Sequence, residues 1–517
     1  MSILNVQNVS HSFGGRQILE NVSFRLLNGE HVGLIGANGE GKSTFLNIIT
    51  GKLTPEEGRV EWCNRITTGY LDQHTVLEKG KSILDVLRDA FHHLFDLEKE
   101  MMEMYEKMCD CTEEEMNALM KDVGEIQDIL EHSGFYMIDA KINEVASGLG
   151  LLDIGLDKDV TMLSGGQRSK VLLTKLLLEN PMILILDEPT NYLDEEHINW
   201  LTNFLMNYDN AFILVSHDIP FLNKVVNIIY HVENCELTRY VGDYEYFLEQ
   251  HALKKRQLEA AYNRQQKEID DLEDFIARNK ARVATRNMAH SRQKKLDKMD
   301  LITKPKEKVK PSFSFQSART PGRVVFEAKD LVIGYDEPLT SPLSLTLERN
   351  QKIAIKGVNG LGKTTLLKTL MGMIPSVSGS VEVDPFAEIG FFEQEEAGST
   401  KTALQYFWDE YPAFTNGEVR AALAKCGLTT DHIESGICVL SGGEQAKVRL
   451  CVIMNRPCNI LVLDEPTNHL DVDAKEELKR ALKEYKGTVL LVSHDPDFYM
   501  DIVDDVWNLE EWTTKIL

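Results

Sequence analysis

The chain has 517 residues, 43% of them hydrophobic and 26% charged, with a formal net charge of -25. That length predicts several domains, because a single core stops growing well below it. The composition excludes collagen-like, disordered and membrane-spanning chains, and the acidic balance excludes a surface that is cationic throughout and binds nucleic acid everywhere.

The first residues hold no basic segment followed by an apolar run, and no apolar stretch of about 18 residues occurs, so a cytoplasmic protein without membrane contact is expected. Eight scattered cysteines lack paired zinc-site spacing and read as reduced thiols. From residue 31, HVGLIGANGEGKST is an apolar strand, a glycine-rich loop and the start of a helix. Backbone N–H groups of such a loop hold phosphate oxygens, which makes Gly36, Asn38, Gly39, Gly41, Lys42, Ser43 and Thr44 nucleotide-binding candidates. Lys42 reaches the terminal phosphates and Ser43 ligates magnesium. Glu40 is unwelcome beside phosphate and is expected to face solvent. Gln73, in GYLDQ, suits a switch that senses magnesium and nucleotide. Residues 85 to 135 are rich in Met, Glu and Leu, lack proline and predict an inserted helical arm. LSGGQ follows, with Ser164, Gly165 and Gly166. The strand ILILD ends in Asp187, placed for magnesium, and Glu188 stands next along to polarise an attacking water. His217, after a second apolar strand and a serine, is placed for the γ-phosphate.

Beyond residue 243 the pattern changes. Leu258, Tyr262, Ile269, Leu272 and Ile276 fall on a four-three spacing interrupted by Gln265, and Met288, Leu296 and Met299 continue the stripe. Two antiparallel helices are predicted, with the cations Arg278, Lys280, Arg282, Arg286, Arg292, Lys294, Lys295 and Lys298 near their turn and only Asp297 among them. Few compensating acids are expected one helical turn away, so this basic tip, about 278 to 298, is the candidate RNA-binding surface, meeting phosphate and shape rather than base edges. An extended KPKEKVKPSF exit leads to a second domain near Val324.

That domain repeats the first. GVNGLGKTT offers Gly357, Asn359, Gly360, Gly362, Lys363, Thr364 and Thr365; GFFEQ offers Gln394; LSGGE offers Ser441, Gly442 and Gly443. ILVLDEPTNHLD and LVSHD return Asp464, Glu465 and His494, so Thr364, Asp464 and Gln394 are the second magnesium set beside Ser43, Asp187 and Gln73. Two different intervals relate the copies, and the first carries about 44 extra residues between Gln73 and Ser164, where the arm lies. The predicted fold is α/β: two tandem P-loop domains, 1–243 and 324–517, joined by a helical hairpin linker at 244–323.

P-loop, glutamine loop, LSGGQ signature, strand-end acid with glutamate, NxLD loop and switch histidine occur twice in one order, and in this the chain resembles the ATP-binding cassette family over both domains. The resemblance implies a head-to-tail pairing within one monomer. One ATP site would join Lys42, Ser43, Asp187, Glu188 and His217 to Ser441, Gly442 and Gly443; the other would join Lys363, Thr364, Asp464, Glu465 and His494 to Ser164, Gly165 and Gly166. Phe13 and Tyr335 match the aromatic that stacks on adenine. Tyr192 stands where the second copy has His469, and Glu444 replaces the signature glutamine, so hydrolysis is expected at both sites with room for unequal rates. The arm and linker are similar to those of the ABC-F class of ribosome-associated ATPases, whose linker is known as the P-site tRNA interaction motif. This implies ATP and Mg2+ as ligands and the ribosome as partner: binding in the exit site, and contact with large-subunit rRNA and with peptidyl-tRNA near the peptidyl-transferase centre, to regulate or rescue translation. Antibiotic resistance by ribosome protection and service as an exporter ATPase subunit are the alternatives; the short linker tip and the basic hairpin weigh against them in turn.

Overall fold

A computed structural model of the chain describes residues 2–13, 16–64, 66–71, 79–108, 113–191, 193–279, 286–299, 310–335, 338–393, 400–468 and 470–513. They form two compact units: Met1–Arg239 together with Lys310–Leu517, and Tyr240–Val309.

The larger unit contains both cassettes. In the first, a six-stranded sheet runs in the order Thr68–Tyr70, Ile183–Asp187, Ala211–Val215, His31–Ile35, Ile228–Glu233, Glu236–Val241. The pairings from Thr68–Tyr70 through Ile228–Glu233 are parallel. In the second, Ile389–Phe392, Ile460–Asp464, Thr488–Val492, Lys352–Lys356 and Asp505–Asn508 make a five-stranded parallel sheet. Strands covered on both faces must be apolar at every position, which is why ILILD and ILVLD show no alternation. Parallel order has a functional consequence: the P-loop, the acids after ILILD and the histidine after LVS all leave the sheet at its carboxyl edge, where open α/β sheets bind ligands. A three-stranded antiparallel sheet accompanies each, Arg16–Leu27, Ser2–Phe13 and Glu57–Trp62 in one cassette and Leu343–Glu348, Val324–Val332 and Ser378–Val383 in the other. Phe24, Phe45, Leu46 and Ile49 fill the space beneath the first; Phe326, Leu366, Leu367 and Leu370 do the same in the second.

The inserted arm is helical. His92–Met108 and Glu113–His132 pack on each other, burying Leu94, Met101, Val123, Ile126 and Leu130 and leaving Met102, Tyr105, Met116 and Met120 exposed. Residues 310–323, composed like an extended exit from the linker, run along the second cassette. Phe313 is fully buried in its core, with its N–H donated to Glu477 Oε1 at 2.9 Å and its carbonyl accepting from Arg480 at 3.1 Å. An aromatic followed by N–H and C=O groups that find partners anchors a segment whose prolines bar helix.

In the smaller unit, Tyr244–Asn279 and Arg286–Leu296 are helices. They are antiparallel: the Arg292 guanidinium lies 3.5 Å from the centroid of the Phe275 ring, and Lys295 pairs with Glu268 at 2.6 Å. Leu272 and Ile276 are buried where the shorter helix covers them, while Leu258 and Met288 are exposed. One acid does lie a helical turn from a tip cation, Asp274, which binds Arg278 at 2.7 Å, and Glu268 on the facing stretch of the long helix pairs with Lys295, so two of the tip cations are compensated. Lys280 and Arg282 lie outside the described residues, as does the side chain of Arg286; Lys294 and Lys298 are exposed.

Among the described residues the cysteines carry free thiols, and no helix is long and apolar enough to cross a membrane.

Candidate functional site

Each cassette brings its own copy of the duplicated motifs to the carboxyl edge of its sheet. Gly41 and Gly362 stand immediately before the helices Lys42–Ile49 and Lys363–Leu370 with φ of 102° and 97°. A Cβ at Gly41 would lie 2.7 Å from Ile18 Cγ2, so both backbone sign and space demand glycine there. Lys42 and Lys363 are buried and fold back over their loops, donating to Gly36 and Gly357 carbonyls at 2.7 Å in each case. Burial lowers both ammonium pKa values, opposed by the carboxylates beside them, Glu188 and Asp187 in one copy and Glu465 in the other.

At the ends of ILILD and ILVLD, Asp187 and Asp464 are pushed up by burial and held back by the lysines and by hydroxyl hydrogen bonds from Ser43 and Thr364. Thr364 Oγ1 donates to Asp464 Oδ2 at 2.6 Å. The next residues, Glu188 and Glu465, have φ of 49° and 47°, a region an L side chain enters only when its surroundings force it. Their N–H groups donate to Val215 and Val492 carbonyls, which continues the sheet one residue further and turns the carboxylate into the cleft. Burial, then the neighbouring Asp187, raises Glu188 to about 8; burial raises Glu465 to about 7. One oxygen of each, Oε1, is buried without a hydrogen bond.

The histidines complete the arrangement. His217 Nε2 is 3.1 Å from Asn38 Oδ1 and 3.6 Å from Glu188 Oε1. His494 Nε2 is 2.9 Å from Asn359 Oδ1, 3.1 Å from Glu465 Oε1 and 2.7 Å from Lys363 Nζ. Burial and then the Lys363 charge push His494 down to about 4, so it is neutral near pH 7.

The cassettes also meet. Asp194 of the first accepts from the Asn359 N–H of the second P-loop at 2.9 Å. Against the cost of burial, His197, whose Nδ1 lies 3.4 Å away, and the charge of Lys170 hold Asp194 down at about 2. Asp471, its counterpart, sits 2.8 Å from Lys447 and acts on the charges of Lys42 and His217. Neither aspartate is among the predicted site residues, although each ends one of the two NxLD loops. Ser164 and Ser441 begin their signature helices as N-caps, each in a reciprocal box with the residue three further on, Gln167 or Glu444. Ser164, Gly165, Ser441 and Gly442 are exposed, and Gly443 is buried.

Other predicted positions fall differently. Phe13, stacked edge-on against His11 at 4.7 Å, and Tyr335 are both exposed, 51% and 68%. Glu40 does not simply face solvent: its Oε2 accepts from the Asn234 N–H at 3.2 Å, which turns the charge aside. Gln73, Gln394, Tyr192 and His469 lie outside the described residues.

The family described as ABC transporter matches residues 19–191 and 340–468, and a second model of that description matches 230–315. The uncharacterised ABC transporter ATP-binding protein YfmM of Bacillus subtilis is 66% identical over 100% of both chains. ABC transporter F family member 2 of Arabidopsis thaliana is 35% identical over 97% of this chain and 76% of its own. Among solved structures, the archaeal ribosome recycling factor aABCE1 in complex with ribosomal stalk protein aP1 covers 97% of this chain and 87% of its own, with a TM-score of 0.55 at 21% identity, a likeness of fold.

Proposed function

The chain belongs to the F family of ATP-binding cassette ATPases, and from that premise we propose that it is an ATP-driven clamp acting on the ribosome in the cytoplasm. One ATP lies on the Lys42 loop and is closed over by Ser441, Gly442 and Gly443; the other lies on the Lys363 loop under Ser164, Gly165 and Gly166. The single observation that carries this is the crossing contact of Asp194 with the Asn359 N–H, because it ties the acid loop of one cassette to the phosphate loop of the other.

Within each site Lys42 or Lys363 exchanges its loop carbonyls for the terminal phosphates, to which its charge is better suited. Glu188 and Glu465, raised towards neutrality by burial, sit in the range where a carboxyl both holds and gives up a proton near pH 7, as a base for the attacking water must. His217 and neutral His494 orient and donate towards the γ-phosphate. The adjacent oxygens of Thr364 and Asp464 in one site, and of Ser43 and Asp187 in the other, would each hold a magnesium ion, which when bound supplies positive charge to the phosphates.

ATP favours the closed pairing by binding it more tightly than the open one, and hydrolysis removes that preference. Family membership and the likeness in fold to a ribosome recycling factor support the ribosome as the partner. The exposed Lys294 and Lys298, with Arg292 and Lys295, support a hairpin that meets tRNA and large-subunit rRNA through backbone phosphate. Changing Glu188 and Glu465 to Gln keeps shape and removes the base; this double variant should sediment with ribosomes in an ATP-containing sucrose gradient. A variant that binds ATP yet stays at the top of the gradient ends the ribosomal reading.

A further inference from the structure

Glu444 is where the two nucleotide sites part company. Its Oε2 accepts from the Ser441 N–H at 2.8 Å, the capping role that Gln167 plays in the first cassette. Its Oε1 reaches across to the first P-loop: a Cβ on Gly39 would lie 2.5 Å from it. That oxygen is buried and has no hydrogen bond, and the residue as a whole is 6% exposed. A buried carboxylate pressed on a loop built to receive phosphate sets like charge against like.

His432 stands beside it. Nε2 is 3.1 Å from Glu444 Oε1 and 3.6 Å from the same Cβ position on Gly39, and the residue is itself buried. His432 is held by a second capping box, with Thr429, at the start of Thr430–Glu434. The other site has none of this. Counting back from the signature, Gly155 occupies the position of His432, Gln167 is neutral, and a Cβ on Gly360 would meet nothing within 4 Å.

We propose that His432 is a positioning residue for the nucleotide site over Lys42, holding and compensating the Glu444 carboxylate so that a polyphosphate can seat against Gly39. The inference rests on the head-to-tail reading of the sites and adds that they are unequal by construction. Glu444 weakens nucleotide at the Lys42 site unless His432 offsets it, and the Lys363 site, closed by Gln167, escapes that dependence.

A polarity swap tests this. His432→Glu keeps a residue able to cap Thr429 but places two carboxylates together, and adding Glu444→Gln restores a donor–acceptor pair with its direction reversed. The full-length chain is titrated with magnesium and the β,γ-imido analogue of ATP, with melting curves as a check on folding. The wild type should bind two equivalents. H432E should weaken one of them by about tenfold, as a buried charge left without its partner does, and leave the other unchanged; H432E/E444Q should recover most of that loss, and E444Q alone should bring the two affinities closer. Equal weakening in H432E and in the double variant, loss at both sites, or no loss in a chain that still binds two equivalents overturns the role of His432. Binding of one equivalent or none in the wild type overturns the two-site reading beneath it.

Discussion

The two nucleotide sites are near-copies in the half that each cassette builds for itself and differ in the half that its partner supplies. Gly41 and Gly362 differ in φ by only a few degrees, Glu188 and Glu465 likewise, and both P-loop lysines bind the matching carbonyl at 2.7 Å. Across the interface the resemblance ends. Glu444 with His432 stands against Gly39 of one loop, whereas a Cβ on Gly360 of the other would meet nothing within 4 Å. Local loop geometry is dictated by a few contiguous residues, so duplication preserves it. A lid is assembled from distant residues, each free to change alone.

The largest effect separating these halves should come from the acids. Glu188→Gln with Glu465→Gln should slow phosphate release by at least about a hundredfold, the usual worth of a positioned base, while ATP binding persists. The single variants then apportion the rate, and equal losses would remove any chemical inequality between sites. Next come the glycines. Gly39→Ala and Gly360→Ala both force a side chain to positive φ, at about 1–3 kcal/mol each, but only Gly39→Ala also displaces Glu444; analogue binding should therefore fall further for Gly39→Ala.

A smaller effect concerns pH. Glu188 and Glu465, raised to about 8 and about 7, bind protons in the folded state that the unfolded chain has released. Their contribution is present below the ordinary carboxylate range and is lost as pH rises through 7 and 8. The double Gln variant without nucleotide should therefore melt higher than the wild type, by about 2–4 °C, at pH 8.5, with a smaller gain at pH 5.5. The smallest concerns the hairpin, outside both sites. Lys295→Ala breaks an exposed pair with Glu268 worth at most about 1 kcal/mol, so melting should not move, whereas ribosome association should weaken and its salt dependence flatten.

The hairpin and the cassettes also differ in how far the linear order of residues discloses them. Spacing gives two helices, a basic tip and the i,i+4 pair of Asp274 with Arg278, but it is blind to Glu268, which takes up Lys295 only once the two helices pair. The same blindness explains Glu40, drawn aside by an N–H nearly two hundred positions away. By itself the sequence determined what contiguous residues encode: two duplicated phosphate loops, the acids and histidines at strand ends, the helical insertion and the α/β class, because strand, loop and helix each follow from neighbours along the chain. The tertiary structure alone decided the contact of Asp194 with Asn359, the buried orphan oxygen of Glu444 beside His432 and the raised carboxyls of Glu188 and Glu465. Each depends on groups brought together across the fold, where burial sets charge and partner, and no local pattern records either.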